Sequence, residues 1–470
     1  MKLFNPAIGQ AIQDAAGEVE LRDEEGGIRS DFLHAVTTAL EENDAHKARE
    51  LTLKLHEADL ADLIQLLRPE QRGLLIVTLG DDFKAGALPE LDESVRDQVI
   101  EAMPTEQVAE ALQQLDSDEA VYLIEDLDKQ DQSDILAKLP SFERAALERS
   151  LEYPEDSAGR LMQTDLIAVP PFWSVGQTID YMSEADDLPD RFYEVFVVDP
   201  AYHLIGSIAL NRLLRSKRTA TIESITDRDI HPIDVEADQE AAAREFERYN
   251  LTSAPVVDAD QRLVGVITAD DVVEVVQEEA SEDILRMGGV AGESVADTVW
   301  ETTRRRFTWL LANLATAILA SLVISLFDAT IEQMVALAVL MPIVASMGGN
   351  AGTQTMTVAV RALATQDLGA ANAMRVIGRE TAVGILNGVL FAVIMGAIVY
   401  FWFGSDQLGL VIGVAMIVNL FAAALAGILI PLGLDALGLD PAIASGVFVT
   451  TVTDVVGFFA FLGLAAMWLV

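Results

Sequence analysis

The chain has 470 residues, 74 Asp and Glu against 31 Lys and Arg, and a formal net charge of −43. That length exceeds one ordinary core and fits several domains. The charge excludes nucleic acid or an anionic membrane surface as the main partner and favours cations; the absence of cysteine excludes disulfides and thiolate metal sites.

The charge is divided unevenly. Residues 304–470 hold eight acids and six Arg, a net of −2, so residues 1–303 carry −41. Basic residues are 24 Arg and 7 Lys, and apolar residues recur among the acids throughout. A disordered acidic tail would be a block without that periodicity. The pattern predicts a folded, halophilic-like acidic surface, because a Debye length of about 3 Å at 1 M salt screens self-repulsion. By composition alone, most of these acids solvate a surface. The N-terminus lacks a basic segment followed by an apolar one, so no cleaved signal peptide is expected, and the soluble region is expected in the cytoplasm.

Residues 1–29 are rich in Gly and acids and are expected to be flexible. Residues 30–151 carry apolar residues at helical spacing (Leu51, Leu53, Leu55, Leu60, Leu63, Leu66 and Leu67, then Leu112, Leu115, Val121, Leu123 and Leu127), broken at Pro69, Pro89, Pro104 and Pro140. These breaks fit helix starts or stops, and the segment is expected to be a helical domain of stacked hairpins. Residues 152–276 contain an internal repeat. Val197-Val198-Asp199 recurs as Val256-Val257-Asp258, and Gly206 recurs as Gly265, both at an offset of 59. Each unit has an apolar strand, an acidic turn, a second strand starting at Gly, and a helix. This resembles a tandem pair of CBS domains, at about 159–218 and 219–276. A linker at 277–303 is acidic and then basic; Gly288-Gly289 breaks its helix, and Arg304-Arg305-Arg306 follows.

Five apolar spans complete the chain, at 309–327, 334–347, 381–403, 408–434 and 442–470. A bilayer needs about 20 apolar residues; the second span is short and runs into Gly348-Gly349-Asn350. Arg304, Arg305 and Arg306 precede the first span, and Arg361, Arg375 and Arg379 lie between the second and third. The loops around Asp328 and Asp406 have no Lys or Arg. The positive-inside rule then puts the N-terminus in the cytoplasm and the C-terminus outside.

Two features of the spans carry chemistry. Asp454 is the only charge in residues 442–470. An ionisable group at mid-membrane costs roughly 2.5–3.5 kcal/mol on insertion scales and ordinarily faces a pore or a partner. The stretch after Pro342 holds Gly348, Gly349 and Asn350, and is read as an interruption of the second helix that frees backbone carbonyls along a cavity. Asn350, Thr353, Gln354 and Thr357 add neutral oxygens, and such oxygens near an Asp suit a hard divalent cation. The alternative is close helix packing through small residues.

In this order of domains, and in Pro342, Gly348-Gly349-Asn350, Gly352, Gln354, Arg361-Ala362-Leu363-Ala364-Thr365, Asp440-Pro441-Ala442 and Thr453-Asp454-Val455, the chain resembles the MgtE magnesium channel/transporter family. Thr353 stands where the family commonly has Asn. The resemblance implies a multidomain membrane protein: an α-helical N-terminal domain, α/β tandem CBS domains and an all-α transmembrane domain of five helices. It implies a homodimer whose fifth spans face each other, with a pore ion site at Asp454, Asn350, Gly349 and Thr357. Two facing carboxylates would repel unless a cation sat between them, and Mg²⁺ keeps several of its waters when bound.

The resemblance further implies that cytoplasmic Mg²⁺ closes the channel by bridging acids of the soluble domains. The matching positions are Asp118, Asp238, Glu240, Asp271, Glu279, Glu282, Asp283 and Asp440, with the backbone of Arg160. Asn250 stands where the family often has Asp. Thr268 and Asp271 also fit a CBS nucleotide site, which would make ATP a further ligand; the alternative is an ordinary helix cap. No phosphate-binding Gly-rich loop with Lys is present, which argues against a primary pump, and the spans hold no His and no nucleophile–base pair. The expected function is thus a passive, inward, non-enzymatic Mg²⁺ channel of the cell membrane. The rivals are a transporter of Co²⁺ or Mn²⁺, and a membrane-anchored nucleotide sensor.

Overall fold

The computed structural model describes residues 21–469, except 25, 126, 186, 187, 190, 291–298, 370 and 444. It divides into two compact units, Met1–Glu278 and Glu279–Val470. The expected flexible segment and the linker at 277–303 lie partly outside the described residues. Within 21–29, Arg22 pairs with Ile28 in a bridge and its guanidinium meets Asp59 and Asp62.

The first unit begins with short helices, among them Ser30–Glu41, Glu57–Leu66, Pro69–Leu79, Glu93–Ala102, Thr105–Leu112, Ser117–Glu125 and Ser141–Ser150. Pro69 opens one helix, and Pro104 and Pro140 immediately precede two others. Proline tolerates these positions because the first helical N–H groups have no intrahelical partner. Leu60, Leu63, Leu75, Val121 and Leu123 are buried, each contributing about 1.5–3 kcal/mol by leaving water. Leu53 and Leu66 are exposed, so not every leucine of the pattern faces the core.

Two three-stranded sheets follow. The first comprises β1 (Ala168–Val169), β2 (Glu194–Val198) and β3 (Leu204–Ala209); the second comprises β4 (Ile233–Asp234), β5 (Ser253–Val257) and β6 (Leu263–Thr268). In each sheet the first pair is parallel and the second antiparallel. The repeat is exact in register. Val197 faces Gly206 and Val256 faces Gly265, with an irregularity after Val197 and after Val256. Both glycines are needed: a Cβ at Gly206 would lie 2.1 Å from the Asp227 carbonyl oxygen, and one at Gly265 would lie 2.5 Å from Met162 Sδ. Asn250 ends the helix Gln239–Tyr249 with φ 53°, a left-handed position that favours Asn over most residues.

Among the described residues, the second unit holds five helices long and apolar enough to cross a membrane: Thr302–Ser325, Ala336–Ala364, Ala373–Phe403, Asp406–Ala436 and Gly446–Trp468. The fourth is the hub, and its contacts with the third are made through small residues. A Cβ at Gly384 would lie 2.5 Å from Ala424 Cβ, and one at Gly409 would lie 2.8 Å from the Gly396 carbonyl oxygen. Close backbone approach replaces the hydrophobic driving force that helices lack in lipid.

One expectation is corrected. The second span is neither short nor broken: Ala336–Ala364 is one helix of 29 residues with Pro342 inside it. In a bilayer a freed carbonyl has no water to turn to, so the helix persists at a cost of about 1 kcal/mol per glycine. Gly348 and Gly352 pack instead. A Cβ at Gly348 would lie 2.2 Å from Asn419 Nδ2, and one at Gly352 would lie 2.5 Å from Val449 Cγ1. Small-residue packing, not an interruption, explains the motif.

Candidate functional site

The second span has two unlike faces. Leu337, Leu340, Val344, Gly348, Gly352 and Met356 are buried against the bundle. Ser346, Asn350, Thr353, Thr357 and Arg361 recur every three or four residues on an exposed stripe. The Thr357 hydroxyl donates to the Thr353 carbonyl at 2.9 Å, and Asn350 Nδ2 reaches Ser346 Oγ at 3.5 Å, so the oxygens of Asn350 and Thr357 still face outward. Gly349 is open too, with nothing within 4 Å of a Cβ placed there. Its carbonyl belongs to an unbroken helix.

Asp454 lies on the fifth span, half-buried. Its neighbour Thr453 is fully buried and packs against Gly352, whose added Cβ would lie 3.5 Å from Thr453 Cγ2. That contact brings Asp454 to the level at which Gly349 and Thr353 flank Gly352 on the second span. Among the described residues, no hydrogen bond or ion pair satisfies the Asp454 carboxylate. A polar stripe and an unpartnered carboxylate cannot face lipid cheaply. They require water, a cation or another protein surface.

Two further polar groups of the bundle escaped the sequence reading. Glu380 is buried in the third span, with Arg379 Nε 3.3 Å away. Starting that span one residue late hid it. Asn419 on the fourth span has no exposed surface, and its Nδ2 donates to the Val344 carbonyl at 2.8 Å. The signal available was a lone amide in an apolar stretch.

In the first unit, the start of the helix Ser117–Glu125 meets the CBS region. The Thr164 backbone N–H donates to Ser117 Oγ at 2.7 Å. Asp118 is buried beside Asp271, and its Oδ1 has no partner among the described residues. Burial, then the Asp271 charge, holds the Asp118 carboxyl well above the usual range. Burial likewise pushes Glu119 up to about 7 and Asp271 up to about 6. An orphaned buried oxygen among like charges fits a cation by charge. Among the described residues, however, no group of three or more His, Asp or Glu is arranged to hold a metal ion.

The other predicted ligands are engaged locally. Asp238 caps the helix Gln239–Tyr249, accepting from Glu240 N at 2.9 Å, and Glu240 pairs with Arg244 at 2.8 Å. Thr268 N and Oγ1 both donate to Asp271 Oδ2, at 3.1 and 2.7 Å. This is helix-capping geometry, so the cap is the better account of that pair. The Arg160 backbone lies in the short helix Ala158–Leu161, while its guanidinium donates to Glu125 and to the carbonyls of Tyr153 and Leu151 at 2.9 Å. Glu279, Glu282 and Asp283 lie in the helix Ala269–Met287. Arg286 of that helix pairs with both Glu282 and Asp440, and Asp440 Oδ1 accepts from Ala442 N at 2.7 Å. A cavity of about 130 Å³ between the sheets is lined by Glu194, Arg212, Asp227, Asp229 and His231, not by Thr268 or Asp271.

The profile described as "Divalent cation transporter" (MgtE) matches residues 341–464, the MgtE intracellular N domain matches 55–156, and the CBS domain matches 222–278. A magnesium transporter MgtE of Enterococcus faecalis is 32% identical over 70% of this chain and 73% of its own length. One of Thermus thermophilus is 34% identical over 69% and 73%. A solved structure described as the cytosolic domain of the Mg²⁺ channel MgtE in complex with ATP is 28% identical, covers 52% of this chain and 99% of its own, and has a TM-score of 0.48. By the extent of the sequence matches, and with five apolar helices following a helical and a CBS region along the chain, the chain belongs to the MgtE family.

Proposed function

We propose that this chain is a passive, inward Mg²⁺ channel that works as a homodimer and is closed by cytoplasmic Mg²⁺. One observation carries the reading: the outward polar stripe of the second span lies at the level of the unpartnered Asp454 carboxylate. A second copy facing this stripe would enclose a path of carboxylate, amide, hydroxyl and carbonyl oxygens, with the soluble region cytoplasmic and the C-terminus outside. Such oxygens suit Mg²⁺ carried with much of its water shell. Entry needs no fuel, since two charges moving inward gain about 4.6 kcal/mol per 100 mV.

The deciding experiment is flux in proteoliposomes across Mg²⁺, Co²⁺, Mn²⁺ and Ca²⁺ at fixed potential. Mg²⁺ flux is expected to dominate and to rise with an inside-negative potential. Flux indifferent to potential would overturn the channel; a preference for Co²⁺ or Mn²⁺ would give the rival substrate.

Closure is assigned to the acids. Asp118 with Asp271 would accept a divalent ion in the first unit, and Glu282 with Asp440 in the second. Arg286 now neutralises that second pair. Arg286→Gln should therefore remove that positive charge from both carboxylates and shift closing to lower internal Mg²⁺, read as the midpoint of uptake against internal Mg²⁺. An unchanged midpoint would count against Asp440 as a ligand. Arg212 and His231, beside Asp227 and Asp229 in the cavity between the sheets, offer a second reading in which ATP adjusts this closure; the same uptake curves with and without ATP test it.

A further inference from the structure

We propose that Asn419 is a positioning residue for ion selection: its amide, wedged between Gly348 of the second span and Gly457 of the fifth, sets the spacing of the two helices that carry the ion path. The inference rests on the reading of the second and fifth spans as that path.

The wedge is tight on both sides. A Cβ at Gly348 would lie 2.2 Å from Asn419 Nδ2, and one at Gly457 would lie 2.7 Å from the same atom. Only glycine at both positions admits the amide. The two glycines are placed where spacing matters: Gly348 is two residues before Asn350, and Gly457 is three residues after Asp454, one turn along the same helix. The hydrogen bond from Nδ2 to the Val344 carbonyl, at 2.8 Å, adds a third constraint. That carbonyl is also the acceptor for the Gly348 N–H in the helical ladder. The amide therefore pins the second span along its axis as well as sideways.

Stability does not account for the residue. Asn419 has no exposed surface, and its Oδ1 has no hydrogen-bond partner among the described residues. An unpaired buried amide oxygen is destabilising, and an apolar side chain would fill an apolar core more favourably. Its neighbours Met416, Leu420 and Ala423 are such side chains. What the amide supplies and a hydrocarbon does not is a fixed register, held by one directional bond. A path that passes a partly hydrated ion discriminates by the placement of its oxygens, which supporting residues must hold to about 0.5 Å.

The test uses the full chain in proteoliposomes, with Mg²⁺ and Ca²⁺ influx at fixed potential and no internal Mg²⁺. Asn419→Ala and Asn419→Ser are expected to change the Mg²⁺/Ca²⁺ flux ratio roughly tenfold. The closing midpoint for internal Mg²⁺ should stay at the parent value, which separates ion selection from gating. Gly457→Ala should lose flux, because its methyl meets the amide; Gly457→Ala with Asn419→Ala should regain flux but keep the altered ratio. Asp454→Ala is run in parallel. If it abolishes flux while Asn419→Ala and Asn419→Ser keep the parent ratio, the positioning role is wrong and the path stands. If Asp454→Ala conducts like the parent, path and positioning role fall together. If neither Asn419 variant nor the double variant folds, Asn419 is a folding determinant and the proposal is overturned.

Discussion

Asp454→Ala is expected to reduce Mg²⁺ uptake by about 100-fold or more while leaving the protein folded in the membrane. The carboxylate is half-buried and unpartnered among the described residues. Removing it takes away what is, among the described residues, the only full charge available to a partly hydrated cation at that level. Loss of one member of a buried charge interaction typically costs about 3–5 kcal/mol, which is the size of that loss of flux. No packing defect is expected, because the buried face of the fifth span is made by Val449, Thr453, Phe461, Leu462 and Ala465. Asp454→Asn keeps the shape and one oxygen but not the charge, so residual flux should lose its preference for divalent over monovalent ions. Uptake by Asp454→Ala within a few-fold of the parent would remove Asp454 from the ion path.

Asp118→Asn with Asp271→Asn is expected to abolish the effect of Mg²⁺, and to weaken that of pH, on the junction of the helical and CBS regions. In the folded chain, Asp271 is raised from 3.8 to about 6 and Glu119 from 4.5 to about 7, and burial holds Asp118 well above the usual carboxylate range. Raised carboxyl pKa values mean that the folded chain binds protons more tightly than the unfolded one. Their contribution to stability is then fully present below about pH 4 and lost as pH rises through about 6 and 7. Mg²⁺ should restore at pH 8 what protons supply at pH 5. Hydrogen exchange across Ser117–Glu125 and the start of Ala269–Met287, in the full chain, reads this directly. Parent protection should fall from pH 5 to pH 8 without Mg²⁺ and return with millimolar Mg²⁺. The double variant should keep most of its protection at pH 8 without Mg²⁺, since a neutral amide at Asp118 avoids an unpaired buried charge worth at least about 1–3 kcal/mol, leaving only the fall due to Glu119 near pH 7. Molar KCl screens general repulsion across the acidic surface but should not replace Mg²⁺. Equal protection by KCl would make the cluster part of that surface and not a sensor.

Much of the architecture could be read from the chain. The 59-residue repeat anticipated two sheets with identical register, because a strand's period of two makes side-chain pattern and pairing nearly the same information. Span number followed from apolar length, since bilayer thickness sets it. Asp454 stood out because charge is rare where desolvation is costly. Composition could not sort the acids. Asp238 caps a helix, Glu240 answers Arg244, Asp440 answers Arg286, and Asp118 is buried beside Asp271. All four are carboxylates in an acidic sequence, and only their neighbours in space differ.

The sequence by itself determined the membrane class, the repeat, the number of spans and the one conspicuous intramembrane charge, because each depends on local pattern or on the cost of leaving water. Tertiary structure decided what the glycines do. Read along the chain, Gly348-Gly349 looks like a break; in the fold the helix runs through it, and Gly348 and Gly457 open a slot for Asn419. The reason is that a glycine's role is set by what approaches the missing Cβ. That approach comes from helices 71 residues ahead and 38 behind Asn419 in the chain, a juxtaposition that no local pattern encodes.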